Sequence, residues 1–228
     1  MPYPLEAVIF DLDDTLFPER QYAFSGFAAV AVAFASVCGD PSQTTARLRR
    51  LFDTPHRPRV FNALLIETGH TVDDNLIADM VTVYRGHAPS IALYPDASAA
   101  LSRLRPQFKL GVISDGHAAS QRAKVAALGL ARRIDEILLT ADLGAGFGKP
   151  HARAFELMTA RLGVDPCRCA YVADNAEKDF VAPNKLGWTS VQIQRPDGIY
   201  LGCAPPTGGE PRLRIDRLEQ LDSILSPP

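Results

Sequence analysis

Ala7-Val8-Ile9-Phe10-Asp11-Leu12-Asp13-Asp14-Thr15-Leu16 runs four apolar residues into a cluster of three carboxylates. A short continuous apolar run reads as a strand buried on both faces, the kind found inside a parallel sheet. Ligands of such sheets sit beyond the carboxyl ends of the strands. Asp11 therefore falls where chemistry is expected, and Asp13 lies two residues further along a turning chain. Two charges about 4 Å apart repel by roughly 4 kcal/mol at an effective dielectric near 20. A bound cation relieves that repulsion, and hard oxygen ligands of this type suit Mg²⁺. The same Asp-Asp-Thr could instead cap a helix or close a turn, so the rest of the chain decides.

Working outward, residues 18 to 88 show helical patterns without an interrupting strand. Helices are expected over Glu19 to Cys38, Ser42 to Phe52, Pro58 to Thr68 and Asp73 to Gly86. Thr54-Pro55-His56-Arg57-Pro58 breaks two of them and Glu67-Thr68-Gly69-His70 ends another. From Pro95 the pattern alternates. Helices are expected from Pro95 to about Arg105, His117 to Leu128, His151 to Leu162 and Glu177 to Leu186. Strands are expected over Leu110 to Ser114, Ile134 to Thr140, Ala170 to Ala173 and Thr189 to Gln194. Strands alternating with helices predict an α/β fold, a Rossmann-like parallel sheet with helices on both faces. Arg195 to Arg212, rich in Pro and Gly, reads as a surface loop, and Arg217 to Leu225 as a closing helix. The expected division is a core of residues 1–17 and 89–228, interrupted by a helical subdomain over 18–88.

Composition bounds the partners. The chain has 228 residues, 46% hydrophobic and 22% charged, with a formal net charge of -2, as in an ordinary globular protein. Near-zero net charge points to neither nucleic acid nor a membrane surface, and no run reaches the ~18 apolar residues needed to span a bilayer. Met1-Pro2-Tyr3-Pro4 lacks a basic start leading into an apolar stretch, so no secretion signal is read. Cys38, Cys167, Cys169 and Cys203 lack the spacing of a zinc knuckle or redox pair. Reduced thiols in a cytoplasmic protein are expected.

Each strand end carries a group suited to phosphate chemistry. Ser114-Asp115-Gly116 offers a hydroxyl and amides at a strand-to-helix junction. Gly144-Ala145-Gly146-Phe147-Gly148-Lys149-Pro150 delivers one lysine. It is no P-loop, because Leu143 replaces the first glycine and Pro150 follows the lysine. Asp174 and Asp179 bring two further carboxylates after the strand ending at Ala173. Singly, each has an ordinary structural reading as a cap, a strand-end hydroxyl or a surface charge; their coincidence at successive strand ends is what points to a site.

In this order, Asp11-x-Asp13-x-Thr15, Ser114, Lys149-Pro150 and Asp174-x-x-x-x-Asp179 resemble the four motifs of the haloacid dehalogenase (HAD) superfamily, and the helical block resembles its inserted cap. The resemblance covers about residues 5 to 195. It implies that Asp11 is the nucleophile, giving an aspartyl-phosphate, and that Asp13 protonates the leaving oxygen and then deprotonates water. It implies that Ser114 and the amides around Asp115 and Gly116 bind the phosphoryl group, and that Lys149 neutralises it and holds Asp11. Asp11, Asp174, the Asp13 carbonyl and Asp179 would hold Mg²⁺. Carbon–halogen cleavage needs no proton donor two residues after the nucleophile, so Asp13 favours the phosphatase branch. Ala173, where Gly is common, Asp115, where Asn is common, and Asn175 and Lys178, inside the acidic motif, depart from the pattern. Arg20, Tyr22, Tyr84, Arg85 and His87, near the junctions of the helical block, are candidates for substrate contact, Arg20 foremost. The expected function is an Mg²⁺-dependent phosphomonoesterase acting on a small phosphorylated metabolite. A phosphomutase, or a non-catalytic binding protein on the same scaffold, is the alternative.

Overall fold

The computed structural model describes residues 4–225; the outermost residues included in the expected core, 1–3 and 226–228, lie outside them. Two compact units form, one of Met1–Glu19 with Ala92–Pro228, the other of Arg20–Ile91.

The first unit holds a parallel sheet of β1 (Ala7–Phe10), β2 (Lys109–Ser114), β3 (Glu136–Leu139), β4 (Cys169–Ala173), β5 (Thr189–Ile193) and β6 (Leu213–Ile215), in the order β3-β2-β1-β4-β5-β6. All four residues of β1 are completely buried, as a central parallel strand requires. Phe10 stands level with Val112 on one side and Val172 on the other. The chain leaves β1 for β2 on one side and later returns to β4 on the other, so the strand order reverses at β1. A crevice opens beyond the strand ends at such a switch point. Asp11, whose backbone N–H still donates to Val172 O at 2.9 Å, stands at its lip.

One face of the sheet is covered by α8 (Arg153–Leu162), with Phe155, Met158 and Leu162 buried among Ile9, Ile113, Tyr171 and Trp188. Phe155 meets Tyr171 and Trp188 edge-on at 5.0 and 5.5 Å between ring centres, a favoured aromatic geometry. Gly111 permits this packing, since a Cβ there would stand 2.8 Å from Met158 Sδ and 3.0 Å from Ile9 Cγ1. The unit is completed by α6 (Pro95–Leu104), α7 (Ala118–Ala127), α9 (Val181–Lys185) and α10 (Leu221–Leu225).

The inserted unit contains most of α1 (Glu19–Ala33), then α2 (Ala35–Cys38), α3 (Pro41–Phe52), α4 (Val60–Glu67) and α5 (Asp74–Gly86). Its interior is aromatic: Phe27 packs near Phe24, Phe52, Phe61 and Tyr84, and Tyr22 lies 5.5 Å from Tyr84 and 4.8 Å from His87. Gly26 lets this cluster close, because a Cβ would come within 2.5 Å of the Tyr84 ring.

Several boundaries differ from expectation. The helix expected over 19–38 is interrupted at Phe34, whose φ of -110° and ψ of 27° leave the helical range; no Pro or Gly marks the break. The strand expected from Ile134 starts at Glu136, and Thr140 already opens a 3₁₀ turn. The segment 195–212 is no loose surface loop. Arg195 is buried, pairs with Asp96 at 2.7 Å, donates to Thr15 O at 2.9 Å and stacks over Tyr94 at 4.0 Å. The segment then leads into β6, an edge strand too short and exposed to show a period. The closing helix is likewise shorter, a 3₁₀ turn at Leu218–Gln220 followed by α10. The four cysteines form no disulfide, and among the described residues no helix is long and apolar enough to cross a membrane.

Candidate active site

Beyond the ends of β1, β2 and β4 lies a cavity of about 210 Å³, lined by Asp11, Asp13, Glu19, Asp115, Gly116, Gln121, Lys124, Asp174, Asn175, Lys178 and Tyr200. Two of its lining residues, Asp11 and Asp174, belong to a buried charge cluster. One carboxylate oxygen from each of Asp11, Asp174 and Asp179 lies within 4.8 Å of the others. Lys149 Nζ, fully buried, stands 2.7 Å from Asp11 Oδ1 and 2.7 Å from Asp179 Oδ1, and donates to Tyr171 Oη at 3.0 Å. Burial alone would lower the pKa of Lys149, but the charges of Asp11 and then Asp179 raise it well above the usual lysine range.

Local structure explains how these groups meet. The helix expected from Glu177 begins only at Val181. Residues 174–180 instead form a tight loop, in which Asn175 N–H donates to Asp179 Oδ2 at 3.1 Å and Glu177 N–H to Asn175 Oδ1 at 3.0 Å. Side-chain-to-backbone bonds of this kind compete with helix formation. Here they curl the chain so that Asp179 returns beneath Asp11. Asp14 takes the capping role: its carboxylate accepts from Glu19 N–H and Ile199 N–H, both at 2.8 Å, with φ of 48° in the left-handed region that Asp tolerates.

The carboxylates are crowded. Burial raises Asp174 to about 9, with Asp11 and then Asp179 adding to the rise. Burial also raises Asp11 to about 6 against the opposing pull of Lys149. The lysine offsets part of the negative charge at one end of the cluster. A divalent cation between Asp11 and Asp174 would offset the rest, and an all-oxygen donor set fits a hard ion. These residues therefore fit the implied metal.

Other expected residues take different places. The Ser114 hydroxyl bonds Gln121 Oε1 at 3.2 Å and Ser114 does not line the cavity, so the phosphate loop is represented there by Asp115 and Gly116. The Asp115 carboxylate braces the loop: it accepts from Thr140 Oγ1 at 2.5 Å and Lys149 N–H at 3.1 Å, and lies 3.5 Å from Lys178 Nζ. Burial would raise its pKa, but Lys149 and the Thr140 hydroxyl bring it below the usual carboxylate range. Arg20 belongs to the helical unit, where it pairs with Asp53 at 2.6 Å. Tyr22, Tyr84 and His87 are packing residues of that unit's aromatic interior.

Sequence reasoning missed Glu19, Gln121, Lys124 and Tyr200, and read Lys178 only as an odd charge inside the acidic motif. Two of them come together only in the structure. Gln121 and Lys124 stand three apart on one face of α7, and the buried residues of that helix are Ser120, Gln121 and Lys124, all polar. A helix burying its polar face covers something other than an apolar core. Lys124 Nζ lies 2.6 Å from Asp13 Oδ1, and Gln121 Nε2 donates to Asp13 Oδ2 at 3.2 Å. Burial, and then the charge of Asp13, raise Glu19 to about 8.

Comparison with known proteins shows the family. The chain is 30% identical over 232 residues to a glyceraldehyde 3-phosphate phosphatase of Methanopyrus kandleri, covering 97% of each. It is 33% identical to an (S)-2-haloacid dehalogenase of Xanthobacter autotrophicus over 123 residues, 54% of this chain and 46% of that one. Its fold matches that of the HAD-hydrolase YfnB of Bacillus subtilis, solved bound to magnesium, with a TM-score of 0.68 at 20% identity over 99% of this chain and 100% of that one. The haloacid dehalogenase-like hydrolase family matches residues 5–187. With that match over most of its length, and with carboxylates at the ends of β1 and β4 and a buried lysine paired to Asp11, this chain belongs to the haloacid dehalogenase-like hydrolases.

Proposed function

We propose that this protein is an Mg²⁺-dependent phosphomonoesterase that transfers the phosphoryl group of a small metabolite to Asp11 and then to water. The observation that carries the reading is the meeting of Asp11, Asp13 and Asp174 in one cavity, with Lys149 Nζ 2.7 Å from Asp11 Oδ1. Lys149 fixes the Asp11 carboxylate and keeps it ionised for attack on phosphorus. Asp13 delivers a proton to the departing oxygen and takes one from the incoming water. Gly116 and the backbone around Asp115 cradle the phosphoryl oxygens, and Lys178 adds positive charge. Asp11, Asp174 and the Asp13 carbonyl would hold Mg²⁺, with Asp179 as a further acid beneath; bound there, the ion offsets charge between nucleophile and substrate. The relatives named for glyceraldehyde 3-phosphate, and a cavity below the ~300–1,000 Å³ typical of drug-sized ligands, favour a small sugar phosphate or similar metabolite. Asp13, a proton donor that carbon–halogen cleavage does not require, favours phosphate over haloacid.

The test is phosphate release from p-nitrophenyl phosphate and a panel of small phosphorylated metabolites, glyceraldehyde 3-phosphate included, beside halide release from 2-chloropropionate. Phosphate release that EDTA abolishes and Mg²⁺ restores is expected. Undiminished activity in EDTA, or halide release without phosphate release, would refute the reading.

The raised carboxyls make a second prediction. Asp11 and Asp174 keep their protons in the folded chain above the ordinary value of 3.8, to about 6 and about 9. Between about pH 4 and 9 the folded state thus binds more protons than the unfolded state, and these groups make the metal-free protein less stable as pH rises. Mg²⁺ needs the ionised ligands, so its stabilisation grows over the same range. At a hundredfold excess over its Kd it contributes about 2.7 kcal/mol, or roughly 5–10 °C in Tm for a chain of this size. Thermal unfolding in EDTA and in Mg²⁺ at pH 5.5 and 8 checks this; a Mg²⁺ shift larger at pH 5.5 would contradict it.

A further inference from the structure

The polar face of α7 reaches Asp13 beyond the end of the sheet. Lys124 Nζ meets Asp13 Oδ1 at 2.6 Å, and Gln121 Nε2 meets Oδ2 at 3.2 Å, so each carboxylate oxygen has its own donor. Both donors are themselves held. Lys124 is buried, with its ammonium 5.7 Å over the Phe17 ring. Gln121 is buried, also donates to Asp115 O at 2.8 Å, and bonds the Ser114 hydroxyl at 3.2 Å. Burying a lysine is costly unless its charge has a defined partner. A helix that buries Gln and Lys in place of Leu gives up apolar packing, which suits a clamp better than a structural filler.

We infer that Lys124 and Gln121 are positioning residues that clamp Asp13 for proton transfer to the leaving oxygen. The inference rests on the phosphatase reading above and extends it to two residues outside the four motifs. In the step concerned, an Asp11 oxygen bonds to phosphorus as the bond from phosphorus to the leaving oxygen breaks. The electron pair of that bond stays on the leaving oxygen, which takes the proton from the Asp13 carboxyl. Asp13 becomes a carboxylate, and the Lys124 ammonium stabilises the charge as it forms. Gln121 fixes the second oxygen and so the rotamer. The same clamp links proton transfer to the phosphate loop, because Gln121 holds Asp13, Asp115 and Ser114 together.

A proton donor matters most where the leaving group is poor. p-Nitrophenolate departs without a proton, whereas an alkoxide does not. The experiment measures kcat/KM, which reports the phosphoryl-transfer step, for p-nitrophenyl phosphate and for a simple alkyl phosphate. It compares the wild type with Lys124→Met, Lys124→Arg and Asp13→Asn. A general acid contributes about 10²–10⁴-fold. Lys124→Met is expected to lower the alkyl phosphate value about 10²-fold and the nitrophenyl value less than about 5-fold, with Lys124→Arg restoring much of the difference. Asp13→Asn is expected to show the same bias more strongly. If Lys124→Met does not fold, judged by its thermal transition, Gln121→Met is read in the same way. Equal losses on both substrates in the clamp variants, with a biased loss in Asp13→Asn, would overturn the clamp and leave the phosphatase reading standing. An unbiased Asp13→Asn would overturn the clamp together with the role of Asp13 as proton donor, whereas absence of phosphate release from both substrates in the wild type would overturn the phosphatase reading itself.

Discussion

Asp11→Asn is expected to lower phosphate release by roughly 10⁴-fold or more, the scale seen when a covalent nucleophile is removed, while leaving the metal-free protein folded. The two halves of that expectation have separate physical causes. An amide oxygen is a poor nucleophile toward phosphorus and carries no charge to attract a cation, so the chemistry stops. Structurally, the amide keeps the carboxylate's shape, Lys149 keeps Asp179 at 2.7 Å, and one charge leaves a crowd that had raised Asp174 to about 9. The thermal midpoint in EDTA should therefore fall little, while the stabilisation by Mg²⁺ shrinks. Steady-state phosphate release together with thermal unfolding checks both halves. Activity retained within tenfold would remove Asp11 from the centre of the site.

Lys149→Met should damage both stability and activity. Its ammonium is enclosed by Asp11, Asp179 and Tyr171, with no side-chain exposure. Removing one partner from a buried ion pair typically costs about 3–5 kcal/mol, because the remaining charge is left uncompensated. Asp11 would then be pushed above its present value of about 6, leaving less carboxylate to attack phosphorus. A loss of about 10²–10³-fold in kcat is expected from the missing electrostatic support alone. The double variant Lys149→Met/Asp179→Asn removes charge of both signs and should recover part of the stability but none of the activity. Urea denaturation and kcat for the single and double variants separate the effects. Equal stability of Lys149→Met and wild type would mean that the lysine does not compensate the cluster.

These expectations were open to sequence reading in unequal measure. The central strand was legible because Ala7–Phe10 is apolar without interruption and ends in carboxylates, a pattern that a parallel sheet both requires and explains. Asp174 and Lys149 were legible as strand-end groups. Asp179 was legible only through the family resemblance, because its return depends on a loop held by Asn175 and the Asp179 carboxylate, whereas the local composition resembles the first turn of a helix. Ser114 was legible as a hydroxyl at a strand end, but its partner Gln121 lies on the helix that follows. Lys124 and Glu19 were hidden for a different reason: a charged residue on a helix is by default a solvated one, and only the burial of Lys124 and the place of Glu19 in the cavity wall show otherwise. β6 and the anchoring of Arg195 were invisible because both depend on contacts with distant segments, Val191 level with Leu213 and Asp96 beside Arg195.

The central claim is that Asp11 becomes phosphorylated beside a cation held by Asp174. It is tested most directly by acid-quenching the Asp13→Asn variant during turnover of p-nitrophenyl phosphate with Mg²⁺, then locating the phosphoryl group by peptide mass spectrometry. That substrate needs no proton for its leaving group, and the variant lacks the base that activates water, so the covalent species should accumulate. The account predicts one phosphoryl group on Asp11, absent when EDTA is present. A phosphoryl group on any other residue, or none on Asp11 while nitrophenolate is released, would contradict it.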